Sequence, residues 1–312
     1  MEYIINQNEN TVFNDIRSLI EQTRRQVAVT INSGMTLMYW HIGERINREI
    51  LGGERAAYGK QIVASLAKKL TEEFGAGYDS KSLHRMMRFA TVFPDVQIVA
   101  PLVRQLSWSH FLQVISIDDE LKREFYLTMA ADQRWSKRTL KAKIDSMLYE
   151  RTAVAKKPDE VIRRDLELLR DERQMSADLA FHDPYILDFL GLEGNFSEQD
   201  LESAIVGELQ QFITEMGNDF AFMARQKRIS VDDEDYYIDL LFFNRRLRCM
   251  VAIDLKLTKF KAAYKGQMEL YLRWLERNEM LEGENKPIGL ILCAGKNEEH
   301  VELMQLDESN IR

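Results

Sequence analysis

The chain has 312 residues, 45% of them hydrophobic and 29% charged, enough for two domains of ordinary size that bury their cores without disulfides or structural metal. No stretch approaches the roughly 18 apolar residues of a membrane span, and the opening Met1-Glu2-Tyr3-Ile4-Ile5-Asn6-Gln7 lacks an export signal, so a cytoplasmic protein with no membrane partner is expected. A formal net charge of -8 excludes a chain coated in basic residues, although the first 150 residues, with 20 Lys and Arg against 18 Asp and Glu, leave room for a local basic face.

From about Thr11 to Ile50 apolar residues recur at three- and four-residue steps, among them Ile16, Leu19, Ile20, Val27, Ile31, Met35, Met38 and Ile42, which predicts one long or bent helix ending at Gly52-Gly53. Its apolar stripe could hold a homodimer as readily as pack within one subunit. A second helix fits Tyr58 to Phe74, closed by Gly75-Ala76-Gly77, and Asp79 reads as the N-cap of a third that runs to Phe93. That pair has a helix-turn-helix outline, and Lys81, His84, Arg85 and Arg88 fall largely on one side of its second member, where they would suit DNA phosphates or simply a solvated surface. Further helices fit Trp108 to Ile115, Asp118 to Met129 and Ser136 to Tyr149. The last begins in the densest basic stretch, with Arg134, Lys137, Arg138, Lys141 and Lys143.

Lys156-Lys157-Pro158-Asp159 breaks the pattern, and the charged helix from Asp159 to about Arg173 reads as a connector. The domain boundary is placed between about 155 and 180, giving a helical domain over 1–170 and a second domain over 171–312. Beyond it a short helix around Ile186 to Leu190 and another from Ser197 to Gly217 precede three β-rich runs, 220–231, 236–243 and 248–257, separated by breaks short enough for antiparallel hairpins. A helix over Lys261 to Leu281 and a strand over Ile288 to Cys293 complete the order. The predicted class is an α/β carboxy-terminal domain with a central mixed sheet flanked by helices, preceded by an all-α domain.

Cys249 and Cys293 each sit in an apolar run and read as buried, reduced thiols, and the histidines at 41, 84, 110, 182 and 300 never pair closely enough for a zinc motif. The chemistry lies instead in the second and third strands. With residues 244–247 as the connection, Phe243 faces Arg248, Asp239 faces Ala252, and Asp254 is the diagonal neighbour on the same face, roughly 5 to 8 Å away. Lys256 shares that face because side chains alternate with period two. Two carboxylates on a buried face repel unless a cation neutralises them, and their hard oxygens favour Mg²⁺ or Mn²⁺ over zinc. Lys256 would then stabilise an attacking hydroxide or charge developing on phosphate. Glu202 lies on the apolar stripe of its helix, a costly place for a lone carboxylate, and Gln267 and Tyr271 share one face of the later helix.

This arrangement resembles the PD-(D/E)xK nucleases in the order Glu202, Asp239, Asp254-Leu255-Lys256, with Gln267 and Tyr271 similar to the Gln-x-x-x-Tyr motif of RecB-like members. More closely, Asp183-Pro184-Tyr185-Ile186-Leu187-Asp188, Phe220-Ala221-Phe222-Met223-Ala224-Arg225-Gln226 and Tyr237-Ile238-Asp239-Leu240-Leu241-Phe242 resemble the carboxy-terminal domain of YhcG-type proteins. Tyr39-Trp40-His41-Ile42-Gly43 and Leu106-Ser107-Trp108-Ser109-His110 are similar to their winged-helix-like amino-terminal domain. The resemblance implies a restriction-endonuclease-like fold in which Asp239, Asp254 and the Leu255 carbonyl hold the metal and Glu202 completes or supports the shell. It also implies that Lys256 positions the nucleophilic water, while Gln267 and Tyr271 steady Lys256 or a phosphate. Position 254 is Asp where the family more often has Glu, and no proline precedes Asp239.

The function expected is a metal-dependent endonuclease acting on DNA, with the amino-terminal domain selecting the nucleic acid and Arg225, Lys227, Arg228, Lys259, Lys261 and Lys265 near enough to meet its backbone. Two readings compete: a nucleic-acid-binding or assembly module that keeps the fold without turnover, and a hydrolase of another phosphoester. Intact Asp239, Asp254 and Lys256 count against the first of these.

Overall fold

The computed structural model describes the backbone of residues 2–51, 56–181, 197–208, 217, 219–232, 234–295 and 310–311, and the side chains of these except 2–11, 50–51, 56–60, 153, 198–202, 257, 259 and 294–295. The chain divides into two compact units, Met1–Tyr149 and Glu150–Arg312.

Every described element of the first unit is helical, so the all-α expectation holds and no wing strand stands among the described residues. Helix α1 spans Glu2–Leu51, α2 spans Ala56–Phe74 and α3 spans Ser80–Val92. Gly75, at φ 92, ends α2 where a left-handed residue is needed, and Asp79 caps α3 by accepting the Ser82 amide at 2.7 Å. The carboxy-terminal half of α1 is pinned in place through polar contacts. Trp40 Nε1 donates to the Phe93 carbonyl at 2.7 Å, Asn47 Nδ2 to that of Met87 at 2.9 Å, and Ser33 Oγ to that of Val103 at 2.7 Å. Beneath them Leu83, Met86, Phe89 and Phe111 are fully buried, and Phe89 packs its ring against Trp108 and Phe111 with centroids 5.1 Å away in both cases.

One helix stands where none was expected, and one expected helix is shorter. Val96–Leu102 is a helix that the sequence reading did not assign, with Pro101 in its last turn. The helix expected over Ser136 to Tyr149 ends at Asp145, and Met147, at φ 53, turns the chain before Leu148.

In the second unit the Asp159–Glu172 helix is more than a connector: its charges face solvent, but Ile162, Leu166 and Leu169, at four- and three-residue steps, are core. The helix begun at Ser197 is described over Glu198–Gly207, while the short helix expected at Ile186 to Leu190 and the stretch up to Gly217 fall outside the described residues. Strands β1 (Phe220–Val231), β2 (Glu234–Asn244), β3 (Cys249–Lys259) and β4 (Ile288–Gly295) form one sheet in the order β1-β2-β3-β4, the first three antiparallel and β4 parallel to β3. The parallel step requires a crossover, supplied by the Ala262–Asn278 helix, whose Met268, Tyr271, Leu272 and Leu275 pack with Leu241, Met250 and Ala252. β2 and β3 are therefore interior strands, as their continuous apolar character predicts. Of the cysteines, Cys249 is buried and Cys293 only half-buried, and burial pushes the Cys249 thiol up to about 11.

The β2–β3 register differs from the expected one. Asn244 pairs with Cys249 and Leu240 with Ile253, a shift of two residues. The cause is the buried Asn244 side chain, whose Oδ1 accepts the amides of Arg246 at 3.0 Å and Leu247 at 2.9 Å, while Arg248 adopts φ 50 to close the turn. Asn285 fastens the turn from outside, its side chain donating to the Leu247 carbonyl at 2.7 Å.

Gly43 marks the closest approach in the first unit: a Cβ there would lie 1.9 Å from the Met86 carbonyl oxygen and 2.9 Å from the Met87 nitrogen, both backbone atoms. Gly43→Ala is expected to lower stability by at least about 1–3 kcal/mol, since helix backbones must part to admit the methyl group. Urea unfolding measures this, and a midpoint equal to wild type would contradict the packing.

Candidate active site

A register shift of two leaves every side chain on its expected face. One further step beyond Leu240 and Ile253 brings Asp239 beside Asp254 rather than diagonal to it, and the Leu255 amide donates to Asp239 Oδ2 at 2.8 Å. Asp254 is 2% exposed. Its Oδ2 lies 2.9 Å from Lys256 Nζ, two residues along the same face. The other oxygen of Asp239, Oδ1, accepts from Gln226 Nε2 on β1 at 3.1 Å. Two acids and one ammonium thus share a pocket on interior strands, where low polarity strengthens both the repulsion and the attraction.

The Ala262–Asn278 helix covers this face. Gln267 Nε2 donates to the Tyr271 hydroxyl, which donates to the Tyr237 carbonyl on β2 at 3.0 Å. The helical pair read as steadying Lys256 or a phosphate is thereby also a tie between helix and sheet. The Tyr271 phenol is held above its ordinary pKa, chiefly by burial; the Gln267 bond and Lys256 lower it, and Asp254 and Asp239 raise it, so one hydroxyl feels all three charges. Lys256 Nζ also lies 5.4 Å from the centre of the Tyr264 ring, whose hydroxyl meets Thr258 Oγ1 at 2.6 Å.

Other site residues stand apart from this cluster or outside the described side chains. Glu202 lies in the Glu198–Gly207 helix and Lys259 ends β3, but the side chains of both are among those not described. Among the described residues no group of three His, Cys, Asp or Glu could hold a metal, and the anionic donors of this cluster are the two aspartates. Their chemistry, hard and anionic, fits Mg²⁺ or Mn²⁺. On β1, exposed Arg225 donates to Ser203 Oγ at 3.1 Å, Lys227 is paired with Glu279 at 2.7 Å and Arg228 with Asp235 at 2.9 Å.

In the first unit Lys81, His84, Arg85 and Arg88 line one side of an open groove with Ser80 and Ser116. Arg88 is committed there, donating to the Ile115 carbonyl at 3.1 Å and to Asp118 at 2.8 Å. Arg134, Lys137 and Arg138 are exposed at the start of the Lys137–Asp145 helix, and Lys141 pairs with Asp145 at 2.7 Å. Two contributors escaped the sequence reading, Tyr264 and Gln226. The signal for Gln226 was present: Asp232-Asp233 suits a two-residue hairpin loop, and Asp232 has φ 49, which pairs Arg225 with Leu240 and Lys227 with Ile238 and leaves Gln226 opposite Asp239.

A mixed sheet that carries an aspartate, then Asp-x-Lys on the adjacent strand, under a helix bearing Gln-x-x-x-Tyr defines the PD-(D/E)xK class of nuclease. Comparison with known proteins agrees. Residues 15–151 match the DUF1016 N-terminal domain and residues 178–311 the YhcG PDDEXK nuclease domain. The chain is 33% identical to "Putative nuclease YhcG" of Escherichia coli (strain K12), over 95% of this chain and 86% of that protein. It belongs to the YhcG family of PD-(D/E)xK nuclease-domain proteins. A repair endonuclease from Pyrococcus abyssi is 20% identical over 39% of this chain and 48% of its own, with a TM-score of 0.28, a likeness too slight to carry a conclusion.

Proposed function

We propose that this protein is a divalent-metal-dependent endonuclease that hydrolyses DNA phosphodiesters. The observation that carries the reading is the placement of Asp239 and Asp254 side by side on interior strands, with Lys256 Nζ 2.9 Å from the buried acid. Asp239, Asp254 and the Leu255 carbonyl would hold Mg²⁺ or Mn²⁺, with Glu202 completing the shell. When bound, such an ion supplies Lewis acidity and a more acidic water. Lys256 offsets one of the two carboxylates and presents its ammonium where it can hold the attacking water and meet charge developing on phosphate. Gln267 and Tyr271 hold the covering helix against β2, which keeps Lys256 and Tyr264 in register with the acids. Arg225 offers its guanidinium to the phosphate backbone. Asp254→Asn and Lys256→Ala are each expected to reduce Mg²⁺-dependent cleavage by about 100-fold or more while the fold persists. Assay of the purified chain with Mg²⁺ or Mn²⁺ on linear, branched and RNA substrates tests this, and undiminished cleavage by both variants would refute the catalytic roles.

The amino-terminal unit supplies nucleic-acid affinity in this reading, through Lys81 and Arg85 on α3 and through Arg134, Lys137 and Arg138. Arg88 and Lys141, already paired with acids, add less, as does Lys227 on the nuclease domain. Binding of this kind releases counterions, so affinity falls linearly with salt on logarithmic axes. Replacing Arg85 and Arg138 by Ala is expected to flatten that slope by about one for each phosphate no longer neutralised. Fluorescence anisotropy across a salt series provides the measurement, and an unchanged slope would remove this unit's role.

The same unit exposes an apolar stripe. Phe13, Ile16, Ile20, Val27 and Ile31 fall on three-, four- and seven-residue steps of α1 and are 62%, 52%, 47%, 52% and 61% exposed. The occupant proposed is a second copy of α1, antiparallel about Ile20, because that alignment sets Asp15 opposite Arg25. Light scattering should give a dimer for the wild type and a monomer for the Ile16→Asp, Val27→Asp variant. A monomeric wild type would exclude the pairing.

A further inference from the structure

Beyond the residues with assigned roles, one side chain reaches an acid of the cluster from β1, a strand whose other site residues are the cations Arg225, Lys227 and Arg228. We infer that Gln226 is a positioning residue that fixes the Asp239 carboxylate for the cation, an inference that rests on the nuclease reading above. Its backbone is the first indication: Gln226 has φ 47 in the interior of β1, a left-handed conformation that L residues rarely adopt and that glycine takes without strain. No glycine stands there. The register sets the residue directly across from Asp239, between the pairs Arg225 with Leu240 and Lys227 with Ile238, so the unusual backbone occurs at the one β1 position that borders the acid.

The side chain then completes the carboxylate's surroundings. Gln226 Nε2 reaches Oδ1 at 3.1 Å and the Leu255 amide reaches Oδ2 at 2.8 Å, a donor for each oxygen. Two donors from opposite neighbouring strands fix both the position and the plane of the group, and a carboxylate oxygen that accepts one hydrogen bond still has a second lone-pair direction for a cation. The donor's neutrality matters. The Gln226 amide is uncharged, so it orients Asp239 without placing a positive charge of its own beside the ion, unlike the ammonium that stands 2.9 Å from Asp254. Gln226 is exposed, so its hydrogen bond competes with water and adds little to folding; a merely structural role would not favour keeping a strained non-glycine residue at this position.

Gln226→Gly and Gln226→Asn separate the two effects, the first releasing the backbone while deleting the amide, the second tolerating the backbone but falling one methylene short of Asp239. With the full-length chain, both are expected to weaken Mn²⁺ binding about 10-fold by calorimetry and to raise the half-saturating Mn²⁺ for cleavage in parallel. Cleavage at saturating Mn²⁺ should stay within a few-fold of wild type, and the thermal midpoint of Gln226→Gly should equal or exceed it. Asp254→Asn calibrates the series. If that variant binds Mn²⁺ as wild type does, the nuclease reading falls and the inference with it. If it loses binding while both Gln226 variants retain wild-type affinity, the inference about Gln226 alone is overturned; a lowered thermal midpoint at unchanged affinity has the same meaning.

Discussion

Crowding of two carboxylates against one ammonium on the inner strands of a sheet governs the carboxy-terminal unit. Asp254 is almost wholly buried, and a charge so placed must be compensated locally because solvent cannot do it. Lys256 compensates part of it along the strand, and the Leu255 amide and Gln226 supply donors to Asp239 across it. Two acids and one base side by side on interior strands form the cluster that a hard cation would meet. The surrounding structure serves to hold the acids closer than their repulsion would otherwise allow. The Asn244 turn sets the β2–β3 register, Asn285 fastens it, and the Gln267–Tyr271–Tyr237 chain ties the crossover helix across the pocket.

The amino-terminal unit follows a different constraint, the approach of two helix backbones. At Gly43 helix α1 comes so near Met86 that no side chain fits, and Trp40 and Asn47, one turn away on either side, donate to carbonyls that α3 leaves without helical partners or shares. This approach directs α3, and with it Lys81 and Arg85, toward solvent while Leu83, Met86 and Phe89 fill the core. A helix with one face fixed in this way can carry unbalanced charge on the other without loss of order. The opposite end of α1 has no such packing among the described residues, and its apolar side chains stand exposed.

Much of this was legible in the order of residues. Apolar periodicity located α1 to α3 and the four strands, Asp79 and Gly75 marked helix ends, and the alternation along β3 set Asp254 and Lys256 on one face. The register of β2 against β3 was read two residues away from its true value because four turn residues can be chosen in more than one way, and the deciding hydrogen bonds come from a buried Asn244 that looks like an ordinary polar residue in sequence. The face survived the error because a shift of two preserves the alternation, while the distance relation between Asp239 and Asp254 did not. Lys227, Arg88 and Lys141 illustrate the same limit for charge: each reads as a cation facing outward, and each is paired with an acid, Glu279 being 52 residues away in the chain.

By itself the sequence determined the class of the two domains and most of the elements that compose them, and it singled out Asp239, Asp254 and Lys256 as candidates on one face of the sheet, since these depend on local periodicity and on motifs carried within one or two strands. Only the tertiary structure decided which atoms meet: Asp239 beside Asp254, Gln226 against Asp239, Tyr264 over Lys256, and the near approach at Gly43. Those meetings arise from turn closure and from packing between segments far apart in the chain, where a displacement of one residue changes every partner and no local pattern records the outcome.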